Sequence, residues 1–557
     1  MGRHRPDDAA AGLPARCDPE NSMKRPVALF GVFAATFALA ACGGGVTQTG
    51  VSGPPQPGGT LRYGLSQAPT CSDPAQGGTN QTIYVSRQIA DSLTDQDPRS
   101  GELRPWLAER WEVSPDARTF TFHLRDGVTF SDGTPLTAES VRGTLDSIVH
   151  VLGGAKAPLA ATYLSGYTGT DVVDPRTARV RFSTPNVQFL QATSTPQLGI
   201  LAAATTATEA EQRCLGDTIG SGPFTYAEYR QGDSVTLAKR AGYHWGSAVF
   251  AHQGEAYLDR IEFTVVPESG VRTGSLVSGQ LDATSDALPQ DAPQIEAAGG
   301  QVATASNPGI TFGLQPNVTR GPLRDRAVRT ALLAAVDRQE LVDTVLGPQF
   351  RPATSPLAHT TPGYIDLSGE LGFDVEAAKR ALDAAGWVPG GDGIRAKNGE
   401  RLSFGVLFSA AFAGNQAILE LLQQQLRVAG VELRLEPAAN ADYTVRQNTK
   451  DFDTIYYNVT RADGDILRTN FGLDARNLND RGPIPPLDAA LSGQLATVDN
   501  AQRVELIGQA QRLLLDEGLW IPTIELSQAI GVANTVQGLT FEASARLQFY
   551  DTWLSGR

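Results

Sequence analysis

Hydrophobic and polar residues follow two regular spacings along this chain, one typical of strands and one typical of helices. Residues 119–124 (TFTFHL) alternate, with Phe120, Phe122 and Leu124 on one face and polar residues on the other. This period of two predicts a half-buried strand. Residues 519–526 (LWIPTIEL) are apolar almost throughout and predict a buried strand.

Helical spacing dominates the C-terminal half of the sequence. Apolar residues at i, i+3, i+4 and i+7 predict four helices. These lie at residues 325–336, 374–385, 418–426 and 504–514. Asp374 is placed to cap the second helix and Gly386 to end it. The third helix is followed by an alternating strand at 431–435. Because helices and strands alternate here, the sequence predicts layered α/β structure.

The N-terminal region carries the features of an export signal. Basic residues at 24–25 precede an apolar run at 27–40, whose 14 residues are too few to span a hydrocarbon core of about 30 Å. Residues 1–41 are therefore expected to be a leader that is removed. Translation starts either at Met1 or at Met23, and Met23 places the basic residues directly before the apolar run.

The end of this leader, Leu39-Ala40-Ala41-Cys42, resembles the lipobox of bacterial lipoproteins. The resemblance implies that the Cys42 sulfur carries a diacylglycerol and that Cys42 becomes the first residue of the mature chain. The alternative is a plain secretory signal followed by a chance cysteine. Residues 42–59 are rich in Gly and Pro, which predicts a flexible tether. The protein is thus expected outside the cytoplasm, lipid-anchored to the bacterial cell membrane on its periplasmic or outer face.

Two of the four cysteines lie in the body of the chain. Cys17 belongs to the leader and Cys42 is the expected lipid site, so Cys71 and Cys214 remain. In an oxidising compartment these two could form a disulfide. The alternative is a pair of buried free thiols.

Composition and charge exclude several classes of protein. A chain of 557 residues with 41% hydrophobic residues is too long for one core, so two or three domains are expected. The net charge of −14 argues against a protein that binds nucleic acid through phosphates. With only six His and four Cys, the chain is poorly supplied with metal ligands, and neither a metal nor a cofactor is expected.

Local enzyme motifs do not occur in the sequence. It contains no GxSxG nucleophile elbow, no HExxH zinc motif and no Walker-type phosphate loop. Because catalytic triads need not be local in sequence, this alone does not exclude an enzyme.

Residues 107–145 (LAERWEVSPDARTFTFHLRDGVTFSDGTPLTAESVRGTL) resemble the signature region of the peptide/nickel class of ABC-transporter solute-binding proteins. Further segments follow in the order expected of that family. They are 219–246, 257–283, 322–347, 373–387, 451–458 and 512–523. The resemblance therefore covers nearly the whole mature chain.

The resemblance implies a fold and its division. The implied fold is α/β, two-lobed and periplasmic-binding-protein-like, of the type II that closes about a hinge, with an extra α+β subdomain inserted in lobe one. The implied ranges are 60–83, 195–307 and 521–557 for lobe one, 84–194 for the insert and 308–520 for lobe two. Segments 309–314 and 519–526 are the expected hinge strands.

The resemblance also implies a function. The protein would bind a solute in the cleft between the lobes and deliver it to the permease subunits of an ABC importer, which a cytoplasmic ATPase drives. A peptide is the expected solute, bound by a monomer that makes or breaks no bond. The alternative cargo is a nickel chelate, an oligosaccharide or another small solute. A hydrolytic lipoprotein that uses the same fold is a third alternative.

Asp463 lies where the family's peptide binders place an aspartate near the amino end of the peptide. A buried carboxylate and an ammonium offset each other's desolvation. Arg461 is a further expected ligand-binding residue, and it would partly neutralise Asp463. Thr460 stands where the family's tryptophan is expected. A surface turn is therefore the alternative for this segment.

Two further groups of residues are expected to line the cleft. Cys71, Ser72 and Asp73 follow the first strand, where family members contact the solute. Tyr456 and Asn458 could stack on a solute or form hydrogen bonds with it. Because side chains alternate along a strand, only one of Tyr456 and its neighbour Tyr457 can face the cleft.

Overall fold

The computed structural model describes residues 53–409 and 414–556. The predicted leader 1–41, the expected lipid site Cys42 and the first part of the tether lie outside these ranges. Among the described residues, no helix has the length and apolar character needed to cross a membrane.

Sheet I is a mixed seven-stranded sheet built from distant parts of the chain. In spatial order its strands are Gln301–Ser306, Ser527–Val532, Ala283–Thr284, Thr60–Leu65, Arg260–Val265, Ser234–Lys239 and Phe224–Arg230. The central strand, Thr60–Leu65, is parallel to both of its neighbours. Its residues Leu61 and Tyr63 are fully buried, as the centre of a covered sheet requires.

Sheet II has six strands and separates two hydrophobic cores. In spatial order its strands are Arg351–Pro352, Ile521–Glu525, Gly309–Pro316, Thr454–Thr460, Ser403–Ser409 and Glu432–Ala438. Adjacent residues of one strand point to opposite faces, so Tyr456 joins one core and Tyr457 the other.

In the part of the chain that the structure describes, two segments pass between the sheets. Gln301–Ser306 of sheet I leads through Asn307 and Pro308 into Gly309–Pro316 of sheet II. Ile521–Glu525 of sheet II leads through Leu526 into Ser527–Val532 of sheet I. These two crossings join lobe one, built around sheet I, to lobe two, built around sheet II.

The second crossing differs from the sequence-based boundary. Residues 521–525 were expected in lobe one, but the strand Ile521–Glu525 pairs with Gly309–Pro316 inside sheet II. The chain therefore changes sheets at Leu526 rather than after residue 520. The apolar pattern of 519–526 indicates a buried strand, but it does not say which sheet supplies the pairing partners.

A separate antiparallel sheet is inserted in lobe one. In spatial order its strands are Ala108–Val113, Thr119–Leu124, Thr177–Phe182 and Tyr167–Asp174. In the strand Thr119–Leu124, Phe120, Phe122 and Leu124 are buried and the intervening residues are half-buried, as their alternation predicts. These side chains belong to the same continuous core as Leu61 and the rest of sheet I. The insert therefore shares the core of lobe one.

Helices cover these sheets. The α-helices of six or more residues are Asn80–Ser86, Ala138–Ser147, Pro158–Tyr163, Ser269–Val277, Ala292–Ala297, Arg326–Ala335, Val375–Ala384, Asn415–Val428, Asn440–Thr449, Ile466–Phe471, Pro485–Ala496 and Asn500–Asp516. The four helices predicted from periodicity are among them. Asp374 caps its helix by accepting a hydrogen bond from the Ala377 amide, as predicted.

Small strand pairs complete the fold. They are Thr94–Gln96 with Leu103–Pro105, Val536–Gln537 with Trp553–Leu554, Thr540–Phe541 with Leu547–Gln548, and the triplet Val388–Pro389, Arg395–Lys397 and Glu400–Arg401.

Gly309 begins the strand that enters lobe two, and only glycine fits there. Its φ is +116°, and an added Cβ would lie 2.1 Å from the Val459 carbonyl oxygen. We expect Gly309→Ala to lower the free energy of unfolding, measured by urea denaturation, by about 1–3 kcal/mol through this clash, on top of its backbone strain. Gly242→Ala is the matched control, since Gly242 has a φ of +77° but no neighbouring atom within 4 Å. Equal losses in the two variants would contradict the prediction.

Candidate solute-binding site

Both lobes present the carboxyl ends of parallel strands to the space between them. In lobe one, Asp286 follows the strand Ala283–Thr284, which is parallel to the central strand of sheet I. In lobe two, Arg461 follows Thr454–Thr460, which is parallel to Ser403–Ser409. In α/β sheets, ligands bind outside these strand ends. Among the described residues, two of the cavities here are lined by both lobes.

The first is the Arg461 cavity, which is polar and nearly closed. Its walls include Gln96, Tyr163, Gln191, the cations Arg461 and Arg546, and the carboxylate Glu542. Its volume is about 20 Å³, which leaves room for roughly one water molecule. A solute can therefore reach these side chains only when the lobes separate.

The second is the Phe350 cavity, which is larger and mostly apolar. Its volume is about 220 Å³, and its walls include Asp286, Leu288, Leu346, Phe350, Ala417 and Ser527. The Ser527 hydroxyl is buried without a hydrogen-bond partner. The Asp286 carboxylate accepts hydrogen bonds from Ser66 and Gln81. This cavity suits an apolar group that carries a hydrogen-bonding function at one end.

Direct hydrogen bonds hold the lobes together. The Gln96 side-chain amide donates to the Ala462 carbonyl oxygen at 3.1 Å, and the Asn307 amide donates to the Thr460 hydroxyl at 3.2 Å. The Val187 backbone amide donates to the Leu495 carbonyl oxygen at 3.1 Å. The lobes are thus in a closed arrangement. Contacts with a solute would add to these direct hydrogen bonds between the lobes.

The Asp463 carboxylate is buried, as expected of a binding group, but it is already paired with an arginine of the same chain. Both oxygens accept from the Arg503 guanidinium, at 2.6 and 2.9 Å, and one also accepts from the Asp465 amide. Burial opposes the charge of Arg503, but the Asp463 carboxylate outweighs it and raises the pKa of Arg503. The expectation that Asp463 meets the amino group of a peptide therefore needs revision, because Arg503 already provides its cation.

Arg461, by contrast, lies where a solute could reach it. Its side chain is only 4% exposed and forms a wall of the Arg461 cavity. The guanidinium stacks over the Tyr163 ring at 4.8 Å. Its Nη1 atom has no hydrogen-bond partner. The structure therefore brings this predicted residue, rather than Asp463, to the crevice.

Cys71, Ser72 and Asp73 lie inside lobe one and line neither cavity. Cys71 is joined to Cys214 by a disulfide. The Ser72 hydroxyl donates to the Arg213 carbonyl oxygen at 2.6 Å. Asp73 is fully buried near the Arg213 guanidinium, and burial raises the pKa of its carboxyl group. The three residues therefore fasten two segments of lobe one together, which corrects the expectation that they contact the solute.

Tyr456 and Asn458 also differ from their expected role. Tyr456 is buried in the core of lobe two, where it stacks on Phe312 and its hydroxyl lies 3.0 Å from that of Thr523. Tyr457 is buried on the opposite face of the sheet, against Trp520. Asn458 is half-buried and lines neither cavity. The alternation predicted for the two tyrosines is observed, but both rings serve packing.

The side chains that line the two cavities are suited to binding a small solute. In the described ranges, no group of three or more His, Cys, Asp or Glu side chains is arranged to hold a metal ion. The Arg461 cavity offers a cation and amide groups, and the Phe350 cavity offers an apolar wall. These features can hold a small organic solute between two lobes.

Comparison with known proteins agrees with this geometry. The sequence model described as "Bacterial extracellular solute-binding proteins, family 5 Middle" matches residues 102–470. This chain belongs to that family. The members of this family that it resembles are solute-binding proteins of ABC importers, and their two-lobed fold is the one described above.

Three relatives illustrate the range of this family. The nickel-binding periplasmic protein of Escherichia coli (strain K12) is 26% identical over 488 residues, which cover 82% of this chain and 88% of that protein. The probable D,D-dipeptide-binding periplasmic protein DdpA of the same strain is 25% identical over 497 residues, covering 86% and 91%. The structure of NikA from Brucella suis in complex with Fe(III)-EDTA aligns with a TM-score of 0.77 and 22% identity, covering 89% and 100%.

Sequence reasoning missed most crevice residues of this family 5 solute-binding protein. Gln96, Gln191 and Arg546 come from three distant segments and carry no local motif. For Arg503 a signal exists, because it lies four residues before Ile507 on the apolar stripe of its helix. A charged residue on a buried stripe requires a buried partner, and that partner is Asp463.

Proposed function

We propose that this family 5 solute-binding protein captures a peptide in the crevice between its lobes and delivers it to an ABC permease driven by a cytoplasmic ATPase. In this proposal the protein acts outside the cytoplasm as a monomer, anchored to the bacterial membrane by a lipid on Cys42. It binds its cargo without chemical conversion.

The observation that carries the proposal is the crevice itself. Two cavities lie at the carboxyl ends of the strands, each with walls from both lobes. Within residues 53–409 and 414–556, two strand crossings join the lobes. A solute that contacts both walls binds the closed state better than the open state. That difference in affinity is what drives closure.

A peptide is favoured because the crevice combines amide-rich polar walls with an apolar cavity. DdpA, which is named as a dipeptide-binding protein, supports this choice. The alternative is a metal held by a chelator, for which the relative bound to Fe(III)-EDTA is the support. With no cluster of metal ligands among the described residues, a metal would have to arrive already chelated.

Thermal melting of the purified full chain tests the proposal. The panel contains di-, tri- and tetraalanine, their N-acetylated forms, Ni²⁺, Ni²⁺–EDTA and maltotriose. A peptide at 100 times its dissociation constant should stabilise the folded protein by about 2.7 kcal/mol and raise the melting temperature. Stabilisation by Ni²⁺–EDTA or maltotriose without any effect of peptides would overturn the choice of cargo.

A cavity-filling variant checks that binding occurs in the crevice. Ala417 lines the Phe350 cavity from an exposed position of its helix, so Ala417→Trp is expected to fill the cavity and to remove stabilisation by the peptide. The neighbouring exposed Gln416→Trp is the matched control. Loss of the peptide effect in both variants, or in neither, would contradict a site between the lobes.

A further inference from the structure

Arg461 is a buried cation with an unused donor. Only 4% of its side chain is exposed, and Nη1 has no hydrogen-bond partner. The nearest carboxylate, that of Asp465, lies 3.7 Å away, beyond hydrogen-bonding distance. A buried charged donor without a hydrogen bond lowers the stability of the fold. An acceptor from outside the chain would remove this cost.

The neighbouring carboxylates do not supply that acceptor, because other groups occupy them. Glu542, which lines the same cavity, accepts from the Ser544 hydroxyl and from the Arg546 backbone amide. Asp463 is bound by both terminal nitrogens of Arg503. Asp465 accepts from Arg468 at 2.8 and 3.1 Å and from the Gln494 amide at 2.5 Å.

This buried cluster therefore has three guanidinium groups facing two carboxylates, and Arg461 is the surplus cation. The pKa values of Arg468 and Arg503 are both raised, since the attraction of the carboxylates outweighs burial. These two arginines are also the ones that hydrogen-bond to the two carboxylates, whereas Arg461 hydrogen-bonds to neither.

An unsatisfied hydrogen-bond acceptor lies on the opposite wall of the Arg461 cavity. Gln191 of the insert donates to the Gln96 side chain, but its own carbonyl oxygen is buried without a donor. The cavity thus has an unpaired cationic donor on lobe two and an unpaired acceptor on lobe one. A solute with an acidic group and an N–H or O–H group would satisfy both and would link the lobes.

We infer that Arg461 binds an anionic group of the solute, such as a carboxylate, and that Arg503 prevents Asp463 from acting as a site for a free amino group. This inference rests on the proposed function, which it deepens by naming the solute as acidic. An amino group placed near Asp463 would meet the Arg503 guanidinium, a like charge. A blocked or absent amino group should therefore make little difference to affinity.

Matched ligands test the inference by isothermal titration calorimetry on the full chain. N-acetyl-trialanine is expected to bind about tenfold or more tightly than its C-terminal amide, as for a charge-assisted hydrogen bond in a buried site. Trialanine with a free amino group should bind within about threefold of the acetylated peptide. Succinate and Ni²⁺–EDTA serve as acidic probes that are not peptides.

Arg461→Gln is the decisive variant, because it leaves two cations facing two carboxylates and so should fold. In this variant the carboxylate and the amide are expected to bind equally. Arg434→Gln, an exposed arginine of the same lobe, is the control and should keep the preference. Melting without ligand confirms that both variants are folded.

The outcomes separate the inference from the proposed function. Peptides that bind equally with and without their carboxylate would overturn the inference and leave peptide capture in place. If only succinate or Ni²⁺–EDTA binds, and Arg461→Gln abolishes that binding, the inference holds and the peptide is replaced as cargo. If no probe shows a dependence on Arg461, the inference is wrong.

Discussion

Removing the Cys71–Cys214 disulfide is expected to lower the stability of lobe one more than any single change of a surface residue. The bridge joins positions 143 residues apart. In the chain-entropy account, closing a loop of that length stabilises by up to about 5 kcal/mol. The test is the urea unfolding midpoint of the Cys71→Ser/Cys214→Ser double variant, with Cys17 and Cys42 replaced by Ala in every sample.

Reduction provides the control for this prediction. Dithiothreitol should shift the midpoint of the protein that retains Cys71 and Cys214 towards that of the double variant. It should leave the double variant unchanged. A midpoint that is insensitive to reduction in both proteins would show that the bridge does not stabilise the fold in solution.

The expected effect follows from the place of the bridge in the fold. The loop that it closes contains the whole insert, whose core is continuous with that of lobe one. Around the bridge, the Ser72 hydroxyl accepts from the Gly216 amide and donates to the Arg213 carbonyl oxygen. The chain before the insert is thereby tied to the chain after it. Residues that resembled a solute-contacting segment instead fix the base of the insert.

Local patterns predicted the elements of this fold well because each pattern determines its own element. The alternation at 119–124 and the apolar stripe at 325–336 depend only on which face is buried, and both elements are observed. The crossing at Leu526 was misplaced because the pairing of Ile521–Glu525 depends on Gly309–Pro316, about 200 residues earlier. The two-lobed architecture came from resemblance over the whole chain rather than from any local pattern.

The candidate site was predicted only in part, because its contacts join residues that are distant in the sequence. Arg461 follows a strand end, and strand ends can be read from the sequence. The occupation of Asp463 depends on Arg503, 40 residues later on another helix. Tyr456 was assigned to the cleft, but an aromatic residue near a strand end can either contact a ligand or pack in a hydrophobic core, and the sequence does not distinguish the two. Its stacking on Phe312 shows which of these applies.

Arg503→Leu is expected to have the second large effect, because it leaves the Asp463 carboxylate buried without its cation. The Asp463 side chain is 4% exposed and that of Arg503 12%. Removing one partner of such a buried pair costs about 3–5 kcal/mol. Urea unfolding measures the loss. Arg512→Leu is the matched control, since Arg512 is exposed on the same helix.

The double variant Asp463→Asn/Arg503→Leu separates loss of pairing from loss of packing. Because this double variant has no unpaired buried carboxylate, it should recover a clear part of the stability that Arg503→Leu loses. The single variant should also bind trialanine with a free amino group more tightly than N-acetyl-trialanine, because Asp463 is then free to meet an ammonium. A double variant no more stable than the single one would contradict the pairing. An unchanged ligand preference in Arg503→Leu would show that Arg503 is not what keeps amino groups away from Asp463.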